Sequence, residues 1–346
     1  MKKQGNKKWK DHLLKTSLPL EYLVAEKLSG LKYGIQGEYH YLRPNEQGIP
    51  TEFSVDIWAV SPLIKRNIGM WANLNYLIEC KYCSPGVKWL FAPHTKTDTE
   101  HLFERGLVHV LDKLCTKQIW DPRPLWRLSN HFTMCFKGVE LHSRDATFQN
   151  IERGRSQLRY GAPRLAVHLI ESQMMHFYDE ELFIEFICPM LVTTAELYAL
   201  KSGLKLDDFM SSDSLASISK KVPAIILTNP YSHLFSAFSD ELLADLHTKK
   251  PAIKERLEQL SKLIKKMTGE SSDSSKVPSS LWLDWDIREI SQRILVVNYD
   301  SLLPIIKTLR SATVKAGRSL TRVGFLQKDL TKFKTWVVEH EEEENK

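Results

Sequence analysis

The chain has 346 residues, 42% of them hydrophobic, which is enough to bury a large core in one or two domains. Its net charge of +6 agrees with a polyanionic partner without requiring one. An odd set of five cysteines (Cys80, Cys83, Cys115, Cys135, Cys188) excludes a regular disulfide framework, and Cys80-x-x-Cys83 lacks a second Cys or His pair at zinc spacing. No apolar run reaches the roughly 18–20 residues of a membrane helix. The lysine-rich start, Met1 to Lys10, is not followed by an apolar signal core. A cytoplasmic protein with reduced thiols and no membrane partner is expected.

In chain order, Ser17-Leu-Pro-Leu-Glu21 has the Ser cap and early Pro of a helix entry. Leu20, Leu23, Val24, Leu28 and Leu31 recur at helical spacing, and Gly30 and Gly34 mark the exit. A strand is predicted over 38–42, a turn over 44–48 and a second strand over 51–60. That second strand alternates, with Phe53, Val55, Ile57 and Ala59 on one face and Glu52, Ser54, Asp56 and Trp58 on the other. Residues 61–75 read as a connection and 76–82 as a third strand. The Trp-, His- and Pro-rich stretch 85–124 shows no usable period.

Further on, a strand is predicted over 132–141 and a long helix over 147–172, with Gly161-Ala-Pro163 favouring a break. Strands follow at 181–190, 222–227 and 294–298, with a segment at 193–198 after the first of them. A lysine-rich amphipathic helix is expected over 239–267, a flexible Ser-rich loop over 268–275, a helix over 301–311 and a solvated acidic tail over 339–344. The mixture predicts an α/β fold: a core over residues 1–210 with a mixed central sheet flanked by helices, and an α/β extension over 211–346 that completes the fold or binds substrate or a partner.

The chemistry-bearing residues lie on the predicted strands. Glu79 and Lys81, in Tyr76-Leu-Ile-Glu-Cys-Lys-Tyr82, leave the same face of an extended run. Asp56 stands on the neighbouring strand. A lone Glu-x-Lys is commonly a solvated charge pair, but here it follows Leu77 and Ile78 in an apolar run, where charge needs a partner or a task. Hydrolysis of a phosphodiester needs charge neutralised on the phosphate, water activated and the leaving oxygen stabilised. Mg²⁺ supplies much of all three and takes hard oxygen ligands. Asp56, Glu79 and the backbone carbonyl of Cys80 are the candidate metal ligands, with Lys81 beside the attacking water or the phosphate.

A helix bearing an acid, a strand, a strand with Asp and a strand with Glu-x-Lys resembles the PD-(D/E)xK nuclease superfamily, over roughly residues 17 to 82 and up to about 170. The resemblance implies a restriction-endonuclease-like core and a Mg²⁺-dependent (or Mn²⁺-dependent) endonuclease acting on DNA, in defence or a mobile element. By it Asp56 and Glu79 are metal ligands, Lys81 is the catalytic lysine, and Glu21 is the supporting acid of the first helix. Val55 stands where the motif has Pro, and Gln157-Leu-Arg-Tyr160 is one residue short of the Gln-x-x-x-Tyr of some members, so no branch is assigned.

Arg153, Arg155, Gln157 and Arg159 are candidate substrate contacts, although charges at helical spacing are often only a solvated face. Glu21 has a bland alternative as a helix-dipole partner. Glu52 shares the predicted face of Asp56 and is its alternative, whereas Glu38 reads as structural. The scattered histidines show no metal-ligand spacing, the tryptophans read first as packing, and the basic residues from Lys307 to Lys334 could track a nucleic-acid backbone. The competing functional class is a nucleic-acid-binding or regulatory module that keeps the nuclease fold without turnover. A homodimer is compatible with either.

Overall fold

The computed structural model describes residues 8–45, 47–65, 70–94, 107–111, 123–129, 131–176, 182–229, 232–248 and 287–317. The first part of the chain forms α1 (Lys8–Lys15), α2 (Leu18–Ser29), β1 (Gly34–Pro44), β2 (Pro50–Lys65), β3 (Met70–Lys81), β4 (Lys88–Pro93) and β5 (His109–Leu111). Then come α3 (Arg123–Ser129), β6 (Thr133–Leu141), β7 (Ala146–Thr147), α4 (Gln149–His176), β8 (Leu182–Thr193) and β9 (Glu196–Leu200). The last elements are α5 (Leu206–Ser211), α6 (Leu215–Ile218), β10 (Ser219–Val222), β11 (Ala224–Thr228), α7 (His233–Thr248), β12 (Arg293–Asn298) and α8 (Leu302–Gly317).

All the strands join one mixed sheet in the order β1-β2-β3-β8-β12-β11-β6-β4-β9-β10, with β5 added to β8 and β7 to β6. The fold is therefore α/β, as expected. Strands from both sides of position 210 interleave, since β12 and β11 lie between β8 and β6. The central strands are buried on both faces. Ile78, Met190 and Leu295 pack with Leu20, Val24 and Leu28 of α2 and Leu302, Ile306 and Leu309 of α8. Their neighbours Leu77, Leu191 and Val296 pack on the other face with Leu158 and Leu165 of α4 and Phe238 of α7. Enclosure on both sides explains why these strands read as unbroken apolar runs.

The described residues within 61–75 belong to strands, not to a connection: β2 runs to Lys65 and β3 begins at Met70. β2 and β3 form a long antiparallel hairpin, paired from Ile57↔Ile78 out to Lys65↔Trp71. The asparagines of this stretch are bonded across the sheet. Asn73 Nδ2 donates to Glu185 Oε1 at 2.9 Å, Asn75 Nδ2 donates to Glu185 Oε2 at 2.5 Å, and Trp58 Nε1 donates to Asn75 Oδ1 at 3.0 Å. Helix α4 also runs without a break through Pro163. Burial of Leu158, Ala162, Leu165 and Ala166 on the sheet outweighs the roughly 3 kcal/mol an interior proline costs. The amphipathic helix expected from residue 239 begins earlier, at His233, and is described to Thr248. The remainder of it, the Ser-rich loop and the acidic tail lie outside the described residues.

The regular alternation predicted for 51–60 is also broken. Phe53 and Val55 face α4, whereas Ile57 and Ala59 face α2. The cause is a bulge: Gly37 pairs with Trp58 but Tyr39 pairs with Val55, so β2 spends one more residue than β1 over the same stretch. Asp56 sits in that extra step. From Pro50 to Asp56, β2 has a partner only in β1, while β3 stays paired to β8 as far as Lys81↔Thr193. A gap therefore opens between β2 and β3 at Asp56.

Close approach of α4 to this end of the sheet depends on glycine. A Cβ on Gly154 would meet Leu191 Cδ1 at 2.6 Å and Glu79 Cγ at 3.5 Å, and one on Gly161 would meet Val55 Cγ2 at 2.9 Å. Gly154→Val is expected to destabilise the fold by about 1–3 kcal/mol through overpacking, measured as a lower midpoint in urea unfolding.

Candidate active site

The gap between β2 and β3 places the predicted residues. Cys80 N–H has lost its strand partner, and the Asp56 carboxylate replaces it, with Oδ2 accepting at 2.7 Å. In an extended strand the N–H and C=O of one residue leave the same edge, so the Cys80 carbonyl opens on the same gap as Asp56.

Glu79 and Lys81 project from β3 towards α4, as their spacing requires. Glu79 is fully buried. Its Oε1 accepts a short hydrogen bond from Lys81 Nζ, and its Oε2 is a buried oxygen with no hydrogen-bond partner. Lys81 also donates to Gln157 Oε1 at 3.2 Å, and Gln157 Nε2 donates to the Ser54 carbonyl at 2.9 Å. Gln157 thus ties the ammonium of β3 to the backbone of β2 across α4. Tyr41 fixes the same turn of α4 by donating its hydroxyl to the Gln157 carbonyl at 3.1 Å.

The acids crowd one another. Burial first, then the Asp56 charge, pushes the Glu79 carboxyl up to about 8, against the lowering pull of Lys81. Burial also raises Asp56, opposed by the Cys80 N–H and Lys81. Glu21, half-buried on α2, is raised to about 7 by burial, Asp56 and Glu38. Glu21, Asp56, Glu79, Lys81 and Gln157 therefore gather at one end of β3.

Other predicted residues lie further out. Glu52 is exposed and near His40 (3.6 Å) rather than in the gap. Arg155 bonds Glu152 at 2.5 Å, and the Arg159 guanidinium lies 4.6 Å from the Phe235 ring centre. Arg153 is exposed, one turn before Gln157 on the same flank of α4. Of the predicted basic run, Lys307, Arg310 and Lys315 lie on α8, and the residues beyond Gly317 lie outside the described set. Glu38 reads as structural from sequence, yet its charge acts on both Glu21 and Asp56. The bulge brings it there, and no local pattern announces a bulge.

Among the described residues no three His, Cys, Asp or Glu side chains form a ready-made ion cage. The donor set at the gap is of another kind: two carboxylates of β2 and β3, one with an unsatisfied buried oxygen, and a backbone carbonyl. Hard oxygen donors of this kind fit Mg²⁺ or Mn²⁺, which keep several waters of their own.

The raised carboxyls make stability depend on pH. Glu79 titrates near 8 in the fold against the ordinary 4.5, so folding takes up a proton in this range. Its contribution is complete below about pH 4.5 and is lost as pH rises through about 8, and Glu21 acts in the same sense up to about 7. In chelator, the melting temperature is expected to fall between pH 5 and pH 8, and Glu79→Gln to flatten that fall, as followed by circular dichroism. Comparison with family models, with curated proteins and with solved structures gives no match.

Proposed function

We propose that the chain is a divalent-metal-dependent nuclease with a restriction-endonuclease-like core, hydrolysing phosphodiester bonds in DNA. The observation that carries this reading is the convergence of Asp56, Glu79 and Lys81 at the gap between β2 and β3, with Lys81 held by Gln157. Buried acids and an ammonium gathered without a packing reason suit a reaction better than stability, since burying charge costs more than a surface pair returns.

Asp56, Glu79 and the Cys80 carbonyl would hold the ion, which when bound supplies Lewis acidity and a more acidic water. Lys81 would supply a proton donor to the phosphate charge, and Gln157, which bonds it, would hold it in place without adding charge of its own. Deprotonated Asp56 and Glu79 are the binding forms, so ion affinity rises with pH as Glu79 loses its proton near 8. Glu21 and Glu38 add negative potential that favours a cation at the gap.

Purified chain incubated with supercoiled, linear and single-stranded DNA is expected to cut in Mg²⁺ or Mn²⁺ and to be silent in chelator. Lys81→Ala is expected to lower the rate by at least about 10²-fold with the fold intact. Steeply salt-dependent binding by wild type without cleavage under any divalent condition would instead identify a module that keeps the fold and not the reaction.

A further inference from the structure

Beyond the reacting groups, one cation is built into the wall of this site. Arg43 lies at the end of β1, and its guanidinium is sandwiched between the Phe53 ring at 4.0 Å and the Tyr160 ring at 4.4 Å. Its Nη1 donates to Ser156 Oγ at 3.2 Å, and its Nε is buried with no partner. Among the described residues no carboxylate lies within ion-pair distance of it. Every contact that orients this guanidinium is therefore neutral, and its charge is left uncompensated.

The position is specific. Ser156, which holds Arg43, and Gln157, which holds Lys81, are consecutive residues of α4, whose Cα atoms are about 3.8 Å apart. Tyr160, one turn on, forms the other side of the sandwich. Arg153, exposed, precedes Ser156 and Gln157 by one turn on that flank. An arginine needed only for packing could be met by an apolar side chain between two rings. A guanidinium held flat by aromatics, with its charge unspent, is instead prepared for an oxyanion.

We infer that Arg43 is a substrate-binding residue that takes a backbone phosphate neighbouring the one cleaved, so that the nucleic acid runs from Lys81 across the Gln157–Ser156 flank of α4 towards the β1–β2 hairpin. This rests on the nuclease reading of the site. Arg43 binds the strand and takes no part in bond breaking.

The test is binding of a 20-base-pair duplex in chelator as a function of salt, with Arg43→Gln and Arg43→Lys beside wild type, followed by cleavage in Mg²⁺. Arg43→Gln is expected to weaken binding about 10-fold, to reduce the slope of log affinity against log salt by about one, and to raise KM more than it lowers kcat. Arg43→Lys, which keeps the charge, is expected to retain the wild-type slope. A purely structural arginine would lower the melting temperature in both variants and leave the slope unchanged, and that result overturns the assignment. A second measurement needs no variant: arginine-directed modification of wild type, read by peptide mass spectrometry, is expected to slow at Arg43 when duplex is bound, and unchanged modification overturns the assignment. If wild type binds and cuts while Arg43→Gln matches it, only the role of Arg43 falls. If wild type neither binds nor cuts, the nuclease reading falls and this assignment with it.

Discussion

The Cys80 N–H sets the geometry of this end of the sheet. A buried backbone donor must find an acceptor, and β2 has moved out of reach because a bulge spends one residue more than β1 over the same distance. The acceptor it finds is the Asp56 carboxylate. One bond therefore does two things: it satisfies β3 where its ladder stops, and it fixes an acid in the opening. Glu79 and Lys81 follow from the two-residue period of β3 once that edge is held. Lys81 then reaches α4, which can come close only because Gly154 and Gly161 carry no side chain.

The electrostatics follow from this packing rather than from the count of charges. Glu79 has no exposed surface and one unsatisfied oxygen, so its charge is opposed by burial before any neighbour is considered. Asp56 adds repulsion, and Lys81 only partly offsets it. Glu185 shows the contrast. It is also buried, but both of its carboxyl oxygens are engaged by Asn73 and Asn75, and it serves to tie the β2–β3 hairpin to β8. Two buried glutamates on adjacent strands thus differ in whether their hydrogen bonding is complete.

Local pattern carried the sequence reading as far as local pattern could go. The placement of Asp56, Glu79 and Lys81 on neighbouring strands was legible, because an i, i+2 pair in an apolar run has one geometric meaning. The partnership of Gln157 with Lys81 was not, because it depends on how α4 is rotated over the sheet. The same holds for Glu38 and Arg43, which reach the site through the register of β1. The alternation from Phe53 to Ala59 looked regular while hiding a reversal of face, since the extra residue is visible only against the partner strand. Residues 61–75 read as a connection because the acid that satisfies Asn73 and Asn75 lies on β8, far along the chain. Strand β4 was missed within the uninformative stretch, although Trp89 and Phe91 are among its most deeply buried side chains.

The interleaving of β12 between β8 and β11 has a consequence for how the chain is made. When the ribosome has released Asp56, Glu79, Lys81, Gln157 and then β8, the β8 edge that β12 will occupy is still open, because Arg293–Asn298 have yet to emerge. An apolar strand with a free edge recruits other strands, including those of neighbouring nascent chains. Asp56, Glu79, Lys81 and Gln157 thus appear well before the strand that seals the middle of their sheet, so assembly of this end of the molecule waits on its distant successor.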